Sequence, residues 1–407
     1  MRIVAAVSGV FVLTLVLAIS AHTRPTQAAE DGQSIFRFDT FGDEQLWTDT
    51  LLMHQALQNV TPRTALGVGL KIDVEALPAE VKSALQNGQV NLDDPAVTAL
   101  LLRLNAVVGV KAAVTDAGQI TRAGITCALC HSTVDDSFAP SIGKRLDGWA
   151  ATDLDVGTIV ALSPALDDAT KTVFRSWGAG MYDPRHHWFD GQQINVFDHD
   201  GDPSTTDPSV PVVIPPIYGL KGVEFETYTG DGPISYWNSY VGVGQMGGKG
   251  NFRDDRIGLI IQQSPDLVTP KLVALLNYQL SLKTPKPPAG SYNRDAAERG
   301  KDLFRGQAGC ASCHKVPNLT DVVSDGSRST PFLHDPAEVG MDARYAERSA
   351  TKQYRTTPLR GLFQHAPYFH DGSAPNLLAV VNHYDRLFHL RLTAAQKADL
   401  VEYLKSL

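Results

Sequence analysis

The spacing of apolar and polar residues along the chain predicts mostly helices and one short hairpin. Apolar residues recur at helical spacing over residues 269–282 (TPKLVALLNYQLSL) and 393–407 (TAAQKADLVEYLKSL), which predicts two amphipathic helices. Thr393 is a candidate N-cap of the second helix. Residues 107–126 (VVGVKAAVTDAGQITRAGIT) alternate instead around an Asp-Ala-Gly turn, which predicts a β-hairpin. The pattern therefore favours a mainly α fold with a small β-hairpin.

These elements form two successive groups. Residues 283–293 (KTPKPPAGSYN) are rich in Pro and Gly and can continue neither a helix nor a strand, so we interpret them as a linker. Residues 294–309 (RDAAERGKDLFRGQAG) then predict the helix that opens the second group. Before the hairpin, residues 43–57 and 94–108 predict helical stretches, which we assign to an N-terminal extension.

The first 29 residues have the pattern of an export signal. Arg2 precedes an apolar run over residues 3–19, and small residues follow at Thr26 and Ala28. We interpret residues 1–29 as a cleaved signal peptide and expect the mature chain in the periplasm. The alternative is an uncleaved membrane anchor, because an apolar run of this length is at the lower limit for a membrane span.

Length and charge restrict the class of function. The chain has 407 residues, 43% of them hydrophobic and 20% charged, which allows two or three globular domains. The formal net charge of −8 argues against a nucleic-acid partner, because phosphate binding needs a basic surface. A basic redox partner or a neutral small substrate fits this charge better.

All four cysteines belong to two Cys-X-X-Cys-His motifs. The motif residues are Cys127, Cys130 and His131 in the first, and Cys310, Cys313 and His314 in the second. A four-cysteine zinc site usually separates its pairs by about 15 to 20 residues, whereas these pairs lie in opposite halves of the chain. A thiol redox pair needs no adjacent histidine. In a c-type haem site both thiols attach to the haem and the histidine ligates the iron, so the sequence predicts two covalently attached haem c groups.

Each haem motif is followed by the same signals in the same order. Residues 215–232 (PPIYGLKGVEFETYTGDG) parallel residues 357–372 (TPLRGLFQHAPYFHDG). With a two-residue slip before the last part, the alignment pairs Pro216, Gly219, Leu220, Tyr228, Asp231 and Gly232 with Pro358, Gly361, Leu362, Tyr368, Asp371 and Gly372. We therefore predict two tandem cytochrome c-like helical haem domains. Their predicted ranges are 111–284 and 285–407, after the extension at 30–110.

The two motifs, the linker and above all residues 354–385 (YRTTPLRGLFQHAPYFHDGSAPNLLAVVNHYD) resemble the bacterial di-haem cytochrome c peroxidase and MauG family. The resemblance covers roughly residues 120–407 and is most specific in the second domain. It implies that electrons enter at the C-terminal haem and that peroxide or O₂ is activated at the N-terminal haem. It also implies an aromatic residue between the haems and, in many members, a calcium ion between the domains. The rubber-oxygenase branch of the superfamily is a further relative.

The sequence predicts one proximal iron ligand for each haem and several candidates for the sixth ligand of the second haem. His131 and His314 are the proximal ligands by position. The family places a methionine fourteen residues after the histidine of YFHDG as the sixth ligand of the second haem, and here that position holds Tyr384, as in MauG-like members. A phenolate would stabilise ferric iron and lower the haem potential. The alternatives are His383 and Met341. His370 is expected either near this haem or bonded to backbone in a turn.

Beside the first haem the resemblance implies a glutamate followed by a methionine. The matching stretch, residues 241–248 (VGVGQMGG), offers Gln245 before Met246. An amide cannot take up a proton at physiological pH, so this departure argues against ordinary peroxidase activity. Alternative proton carriers, unless they are surface charges, are Glu224 and Glu226. Candidate distal ligands, unless they only pack in a loop, are Met181, His186 and His187.

Two further features leave alternatives open. The aromatic bridge of the family is a tryptophan before Asp-Gly, and here Tyr228 and Trp237 are the candidates, unless both only pack in the core. The aspartates of residues 198–207 (DHDGDPSTTD) could bind Ca²⁺ or form an acidic surface loop, because their spacing departs from an EF-hand. These aspartates include Asp198, Asp200 and Asp202.

Together these observations predict an exported di-haem c-type cytochrome that transfers electrons between its haems and activates peroxide or O₂ at the N-terminal haem. One alternative is a non-catalytic electron carrier, which Gln245 favours. Another is an oxygenase or a MauG-like oxidase of an organic or protein substrate, which Tyr384 and the extension favour. The expected partner is a small redox protein or a quinol-linked donor or acceptor, and a homodimer is a candidate assembly.

Overall fold

Helices dominate the computed structural model, which describes residues 25–184, 187–189, 193–195, 209–322 and 332–407. The mainly α interpretation is therefore confirmed. The α-helices are α1 (Pro25–Phe38), α2 (Met53–Leu57), α3 (Pro62–Gly67), α4 (Ala79–Gln86), α5 (Pro95–Arg103), α6 (Ala128–His131), α7 (Val156–Val160), α8 (Asp168–Arg175), α9 (Ile234–Tyr240), α10 (Leu272–Ser281), α11 (Arg294–Arg305), α12 (Pro336–Val339), α13 (Arg344–Glu347), α14 (Leu377–Leu387) and α15 (Ala394–Lys405). Shorter turns of other helix types are Gln45–Thr50 and Val241–Gln245 (π) and Val74–Ala76, Thr269–Lys271 and Cys310–Ser312 (3₁₀).

The strands are short and pair two by two. They are β1 (Ile72–Asp73), β2 (Val110–Val114), β3 (Ile120–Ile125), β4 (Ser132–Val134), β5 (Ile142–Gly143), β6 (Arg145–Asp147), β7 (Met181–Tyr182), β8 (His187–Phe189), β9 (Gln193–Asn195), β10 (Val212–Val213), β11 (Asn251–Asp254), β12 (Leu259–Gln262), β13 (Leu333–His334) and β14 (Tyr354–Arg355). The pair β1–β5 is parallel, and the pairs β2–β3, β4–β6, β7–β10, β8–β9, β11–β12 and β13–β14 are antiparallel.

The predicted hairpin before the first haem motif is confirmed. Strands β2 and β3 pair in antiparallel register, with an irregularity between Ala113 and Val114. Gly118 adopts a φ of +82° in the connecting turn, a conformation that disfavours residues with a Cβ. The backbone N–H of Thr126 then donates to the carbonyl of Gly109 at 2.9 Å. The hairpin therefore holds the chain directly before Cys127.

The same helix crossing occurs twice. Helix α1 packs on α10, and α11 packs on α15. An ideal Cβ on Gly32 of α1 would lie 2.1 Å from the carbonyl oxygen of Ala274, and one on Gly300 of α11 would lie 2.0 Å from that of Asp399. Both crossings therefore bring two helix backbones into contact through a glycine.

An aromatic pair lies beside each of these glycines. The ring centroids of Phe36 and Tyr278 are 5.5 Å apart at the first crossing, and those of Phe304 and Tyr403 are 5.1 Å apart at the second. All four rings are buried. Offset or tilted aromatic pairs of this kind add to the energy of plain apolar burial, so each pair reinforces its helix crossing.

The position of α1 was not expected. This helix begins before the predicted end of the signal peptide and continues into the predicted extension, yet its Phe36 belongs to the core that holds Leu275 and Tyr278 of α10. We therefore propose that the first domain begins at α1 and that residues 39–110 are an insertion between its first helix and its haem motif. The signal peptide stays a prediction, and residues 1–24 lie outside the described part of the chain.

The insertion shares a core with the hairpin. Leu101 and Leu102 of α5 are buried in one cluster with Val110, Ile120 and Leu129, the last of which lies between the two cysteines of the first motif. The backbone of Gly109 passes so close to Leu129 that an ideal Cβ would lie 2.2 Å from its Cα. The insertion therefore packs against the first haem motif through Leu129.

The second half of the chain follows the predicted order closely. Residues 283–293 contain neither helix nor strand, as expected for the linker, and α11 starts at Arg294. Thr393 caps α15: its side chain accepts from the backbone N–H of Gln396, whose side chain accepts from that of Thr393. Across the described ranges, no helix has the length and apolar content needed to span a bilayer.

Candidate functional site

The first haem motif presents its histidine in the form that a metal ligand requires. His131 ends α6, and its Nδ1 lies 3.0 Å from the carbonyl oxygen of Pro215. A carbonyl only accepts, so Nδ1 carries the proton and Nε2 keeps a free lone pair. Burial lowers the pKa of His131 to about 4, so the imidazole is neutral at neutral pH. These features fit axial ligation of iron.

The second motif has the same arrangement. His314 Nδ1 lies 2.9 Å from the carbonyl oxygen of Leu319, which again leaves Nε2 free, and burial lowers the pKa of this histidine. Its first cysteine, Cys310, begins a 3₁₀ turn after Gly309. The two predicted proximal ligands are therefore held alike, although one carbonyl lies 84 residues away in sequence and the other five.

The thiols do not resemble a redox pair. All four cysteines are free. Burial raises the pKa of Cys127 and of Cys130 to about 12, and that of Cys310 to about 11. Redox-active dithiols need a lowered pKa that exposes a thiolate near neutral pH. The burial of these thiols therefore fits attachment to an apolar group better than thiol–disulfide exchange.

A cavity of about 490 Å³ adjoins the second motif. Its wall contains Cys310, Cys313 and His314 from the motif and Tyr384 from α14. The first half of the chain also contributes to this wall, through Pro215, Pro216, Tyr218, Leu220, Glu226, Thr227 and Tyr228. A group bound here would therefore contact both halves.

The three candidates for the sixth ligand lie in different surroundings. Tyr384 and Met341 both line the cavity. His383 Nε2 instead donates to the carbonyl of Val339 at 3.0 Å. The Tyr384 ring stacks on Phe388, with centroids 5.9 Å apart, and its hydroxyl bonds to no other described residue. Burial raises the pKa of Tyr384, so its phenol ionises only if a cation such as ferric iron stabilises the phenolate.

We expect Tyr384→Phe to change the low-spin EPR signal and absorption bands of the second haem and to leave those of the first unaltered, because only the second haem would lose its oxygen ligand. The matched variants His383→Ala and Met341→Leu remove the two competitors and should leave both haems unchanged. If either competitor variant shifts the spectrum while Tyr384→Phe does not, the tyrosine assignment is wrong.

His370 lines the cavity, and its imidazole bonds to a tyrosine side chain and not to backbone. Its own backbone carbonyl accepts from the N–H of Val213 at 2.7 Å. Tyr354 donates its hydroxyl proton to the carbonyl of Asp342 at 2.6 Å and accepts from His370 Nε2 at 3.0 Å. Burial lowers the pKa of His370, so it is a neutral donor here.

The two halves meet through reciprocal hydrogen bonds. Val213 of β10 donates to the carbonyl of His370, and Arg355 of β14 donates to the carbonyl of Tyr228 at 2.9 Å. The two donors, Val213 and Arg355, occupy equivalent positions in the two halves, and so do the two acceptors, His370 and Tyr228. The duplicated segments are therefore related by an approximate exchange of the two halves.

This relation corrects the sequence alignment. Backbone bridges join Glu226 to Gly232 and Tyr368 to Ala374. Positive φ values recur at matching places without any slip, at Gly219 and Gly361, Thr227 and Phe369, and Gly230 and Gly372. The predicted two-residue slip is wrong. The backbone conformation of the loop matches without a slip, and the Asp-Gly pair lies at a different place in the loop in each half. Tyr228 therefore corresponds to His370 and not to Tyr368.

The two candidates for the aromatic bridge, Tyr228 and Trp237, lie in different environments. Tyr228 lines the cavity, and its ring lies 6.5 Å from Tyr345 and 6.3 Å from His370, both in the second half. Trp237 lies instead in the core of the first half, beside Tyr236 and Tyr240, and donates its Nε1–H to the carbonyl of Glu226 at 3.1 Å.

Sequence reasoning missed a second contact between the halves. Trp149 lies edge-on to Tyr218 of its own half at 6.5 Å and to Phe363 of the other half at 6.3 Å. Tyr218 donates its hydroxyl to the carbonyl of Gly361 or to Gln364, each at 3.2 Å. No sequence motif marks Trp149. Only its position after Gly148, whose N–H donates to the carbonyl of His131 at 2.8 Å, connects it with the first haem motif.

The residues proposed for proton transfer are also placed. Gln245 is buried and donates through Nε2 to the carbonyl of Pro184 at 2.5 Å. Glu224 is exposed, which supports its interpretation as a surface charge. Glu226 pairs with Arg355 at 2.9 Å, and both side chains are buried. Burial raises the pKa of Glu226 although Arg355 opposes this, and its carboxylate lies at the cavity of the second motif.

An ion-pair cluster lies beside the second haem motif. His334 Nε2 is 3.3 Å from Asp321 and its Nδ1 is 3.0 Å from Glu338. The hydrogen bond to Asp321 raises the pKa of His334 to about 9, so this histidine is charged at neutral pH. The ligand atoms of Cys313, Asp321 and His334 lie within 4.8 Å of one another. A haem thioether at Cys313 would remove that sulfur as a metal ligand.

Other predicted sites fall partly outside the described residues. Met181 in β7 is described, and its Sδ would lie 3.7 Å from an ideal Cβ on Gly372 of the second half. His186 and the side chain of His187 lie outside the described part of the chain, as do the aspartates of the predicted calcium loop, Asp198, Asp200 and Asp202.

Comparison with known proteins gives partial matches to one group. The family model described as RoxA-like, cytochrome c-like, matches residues 353–389. The methylamine utilization protein MauG of Methylorubrum extorquens is 31% identical over 132 residues, which cover 27% of this chain and 34% of MauG. Cytochrome-c peroxidase IdrP2 of a Pseudomonas species is 31% identical over 143 residues, covering 27% and 39% of the two chains.

A third curated relative, hydrazine synthase subunit gamma of Kuenenia stuttgartiensis, is 29% identical over 174 residues, covering 34% of this chain and 49% of the subunit. The matches thus span less than half the length of each of these relatives. A solved MauG-like protein associated with microbial copper homeostasis aligns with a TM-score of 0.36 at 20% identity, over 56% of this chain and 85% of that protein. By the family model and the curated matches, this chain is similar to the MauG-like di-haem cytochromes.

Proposed function

We propose that this protein is an exported di-haem c-type oxidoreductase built from two tandem haem domains. Electrons would enter at the domain of His314, and peroxide or O₂ would be activated at the domain of His131. The observation that carries the proposal is the matched state of these two histidines, each with Nδ1 bonded to a backbone carbonyl and Nε2 free. The relation to MauG and to IdrP2, a cytochrome-c peroxidase, supports the class of chemistry.

The bound haems would supply electron storage at the second motif and reductive activation of peroxide or O₂ at the first. The chain itself orients both histidines and keeps them neutral. The carbonyls of Pro215 and Leu319 fix the ring orientation and tautomer of the two histidines. Partial burial of both histidines lowers their pKa, which keeps each imidazole neutral and able to ligate a metal at neutral pH.

We assign contact between the two redox centres to Tyr228 rather than to Trp237. Tyr228 reaches a cluster in the second half in which Tyr345 stacks on His370, with centroids 6.0 Å apart. Trp149 offers a second aromatic contact close to the first motif. Trp237 bonds within its own half and is better explained by core packing.

Gln245 argues against an ordinary peroxidase, which leaves a second candidate function, an oxygenase or oxidase. Its amide is held by Pro184 and provides no group that titrates near neutral pH. The match to the RoxA-like family model and the position of Tyr384 at the cavity favour an oxygenase or oxidase as this alternative. The non-catalytic electron carrier is the third candidate.

We expect low-temperature EPR of the ferric protein to give one high-spin and one low-spin signal, because activation of peroxide or O₂ needs an open position on one iron. Adding peroxide to one sample and O₂ to a reduced sample should then change the spectrum of the haem at His131. The Tyr384→Phe variant serves as a reference for the signal of the other haem. Two low-spin signals that neither oxidant alters would contradict an enzyme and support the electron carrier.

A further inference from the structure

Arg360 places a cation in the cavity of the second motif, within the electrostatic reach of Glu226 but without a hydrogen-bonded anion. Its side chain lines the cavity with His314 and is hydrogen-bonded to no other described side chain. Burial lowers the pKa of Arg360 to about 10, which still leaves the guanidinium charged at neutral pH. A largely buried charge without a hydrogen-bonded partner is costly, so a further anion would complete its environment.

The one neighbouring carboxylate attracts Arg360 but is hydrogen-bonded to another arginine. Glu226 is the carboxylate on the cavity wall, and it already accepts from Arg355 Nη1 at 2.9 Å. Arg355 also lines the cavity, and its buried Nε–H has no partner among the described residues. Two guanidinium groups thus face one carboxylate, and the wall carries an excess of positive charge.

The first half of the chain holds Arg360 in place. An ideal Cβ on Gly219 would lie 2.8 Å from Arg360 Cδ and 3.0 Å from Nη1, so the side chain packs directly on the Gly219 backbone. Tyr218 makes the reciprocal approach, with its hydroxyl 2.2 Å from an ideal Cβ on Gly361. The guanidinium therefore lies at the junction of the two halves and not at the protein surface.

We propose that Arg360 binds a propionate of the second haem at this junction and that its charge raises the reduction potential of that haem. A haem has two carboxylates on an otherwise apolar ring, and a guanidinium matches a carboxylate with two parallel hydrogen bonds. The spare Nε–H of Arg355 provides a donor for the other propionate. The inference rests on the proposed function only in requiring haem at Cys310 and Cys313.

The test is a redox titration of the haem-loaded full chain. We compare Arg360→Gln, which removes the charge, with Arg360→Lys, which keeps it, and with Arg294→Gln, which removes an exposed charge from the start of α11. The same variants in a Cys127→Ser, Cys130→Ser background report the second haem alone. Haem content and circular dichroism establish that each variant is loaded and folded.

At the midpoint potential of the parent protein, we expect Arg360→Gln to lower the ratio of reduced to oxidised second haem by about tenfold, because a lost positive charge favours the ferric state. Arg360→Lys should lower it by less than about threefold, and Arg294→Gln should leave it unchanged. Loss of the second haem from Arg360→Gln but not from Arg360→Lys would also support the proposal.

An unchanged ratio in haem-loaded Arg360→Gln would overturn the role of Arg360 while leaving the proposed function intact. An equal fall in Arg360→Gln and Arg360→Lys would also count against it, because the charge would then not be the cause. A parent protein without haem at the second motif would refute both the inference and the proposed function.

Discussion

Replacing Cys127 and Cys130 together by serine is expected to reduce covalently bound haem from two groups per chain to one. A serine hydroxyl cannot form the thioether that attaches the haem, and His131 alone holds it only by coordination. The measurement is haem absorbance per chain after denaturation, which removes haem that is not covalently bound. The effect is large because each motif attaches one haem independently of the other.

The matched double variant, Cys310→Ser with Cys313→Ser, should also leave one haem, and the combined quadruple variant none. The two double variants should retain different spectra, because the cavity with Tyr384 belongs only to the second motif. Retention of both haems in either double variant would show that the altered motif is not an attachment site.

Gly300→Ala is expected to destabilise the second half of the chain by about 3 kcal/mol, since overpacking a close helix contact costs about 1–3 kcal/mol or more. The added Cβ would lie 2.0 Å from a backbone oxygen of α15, which cannot swing aside as a flexible side chain could. The higher helix propensity of alanine offsets at most about 1 kcal/mol. Gly32→Ala should act likewise on the first half, where the contact is 2.1 Å from a backbone oxygen of α10.

Gly67→Ala is the control for both variants, because no atom lies within 4 Å of its ideal Cβ at the end of α3. Urea unfolding followed by circular dichroism and by haem absorbance measures all three. Equal stability of Gly300→Ala and the parent protein would mean that α11 and α15 are further apart than the structure has them.

Features that depend on neighbouring residues follow from the sequence more directly than features that depend on distant residues. The cap at Thr393, the hairpin before Cys127 and the linker at 283–293 were all predicted correctly. Each depends on neighbours within a few residues, where spacing and turn-forming residues carry the signal.

The first helix shows a signal that was present but not used. Residues 28–36 (AAEDGQSIF) parallel residues 296–304 (AAERGKDLF), and the shared glycine and phenylalanine are the residues that form both helix crossings. The adjacent apolar run, with its export pattern, led to the interpretation of this segment as a leader and an extension. Comparing the duplicated halves over their whole length would have found it.

The sequence by itself determined that the chain has two Cys-X-X-Cys-His motifs and which histidine follows each, since covalent attachment needs residues adjacent in the chain. Only the tertiary structure decided the pairing of α1 with α10, the carbonyl from Pro215 that sets the tautomer of His131, and the cavity shared by both halves. It also decided that Tyr228 corresponds to His370. These features arise from contacts between residues far apart in the chain, which are fixed by packing and backbone conformation and leave no periodic pattern in the sequence.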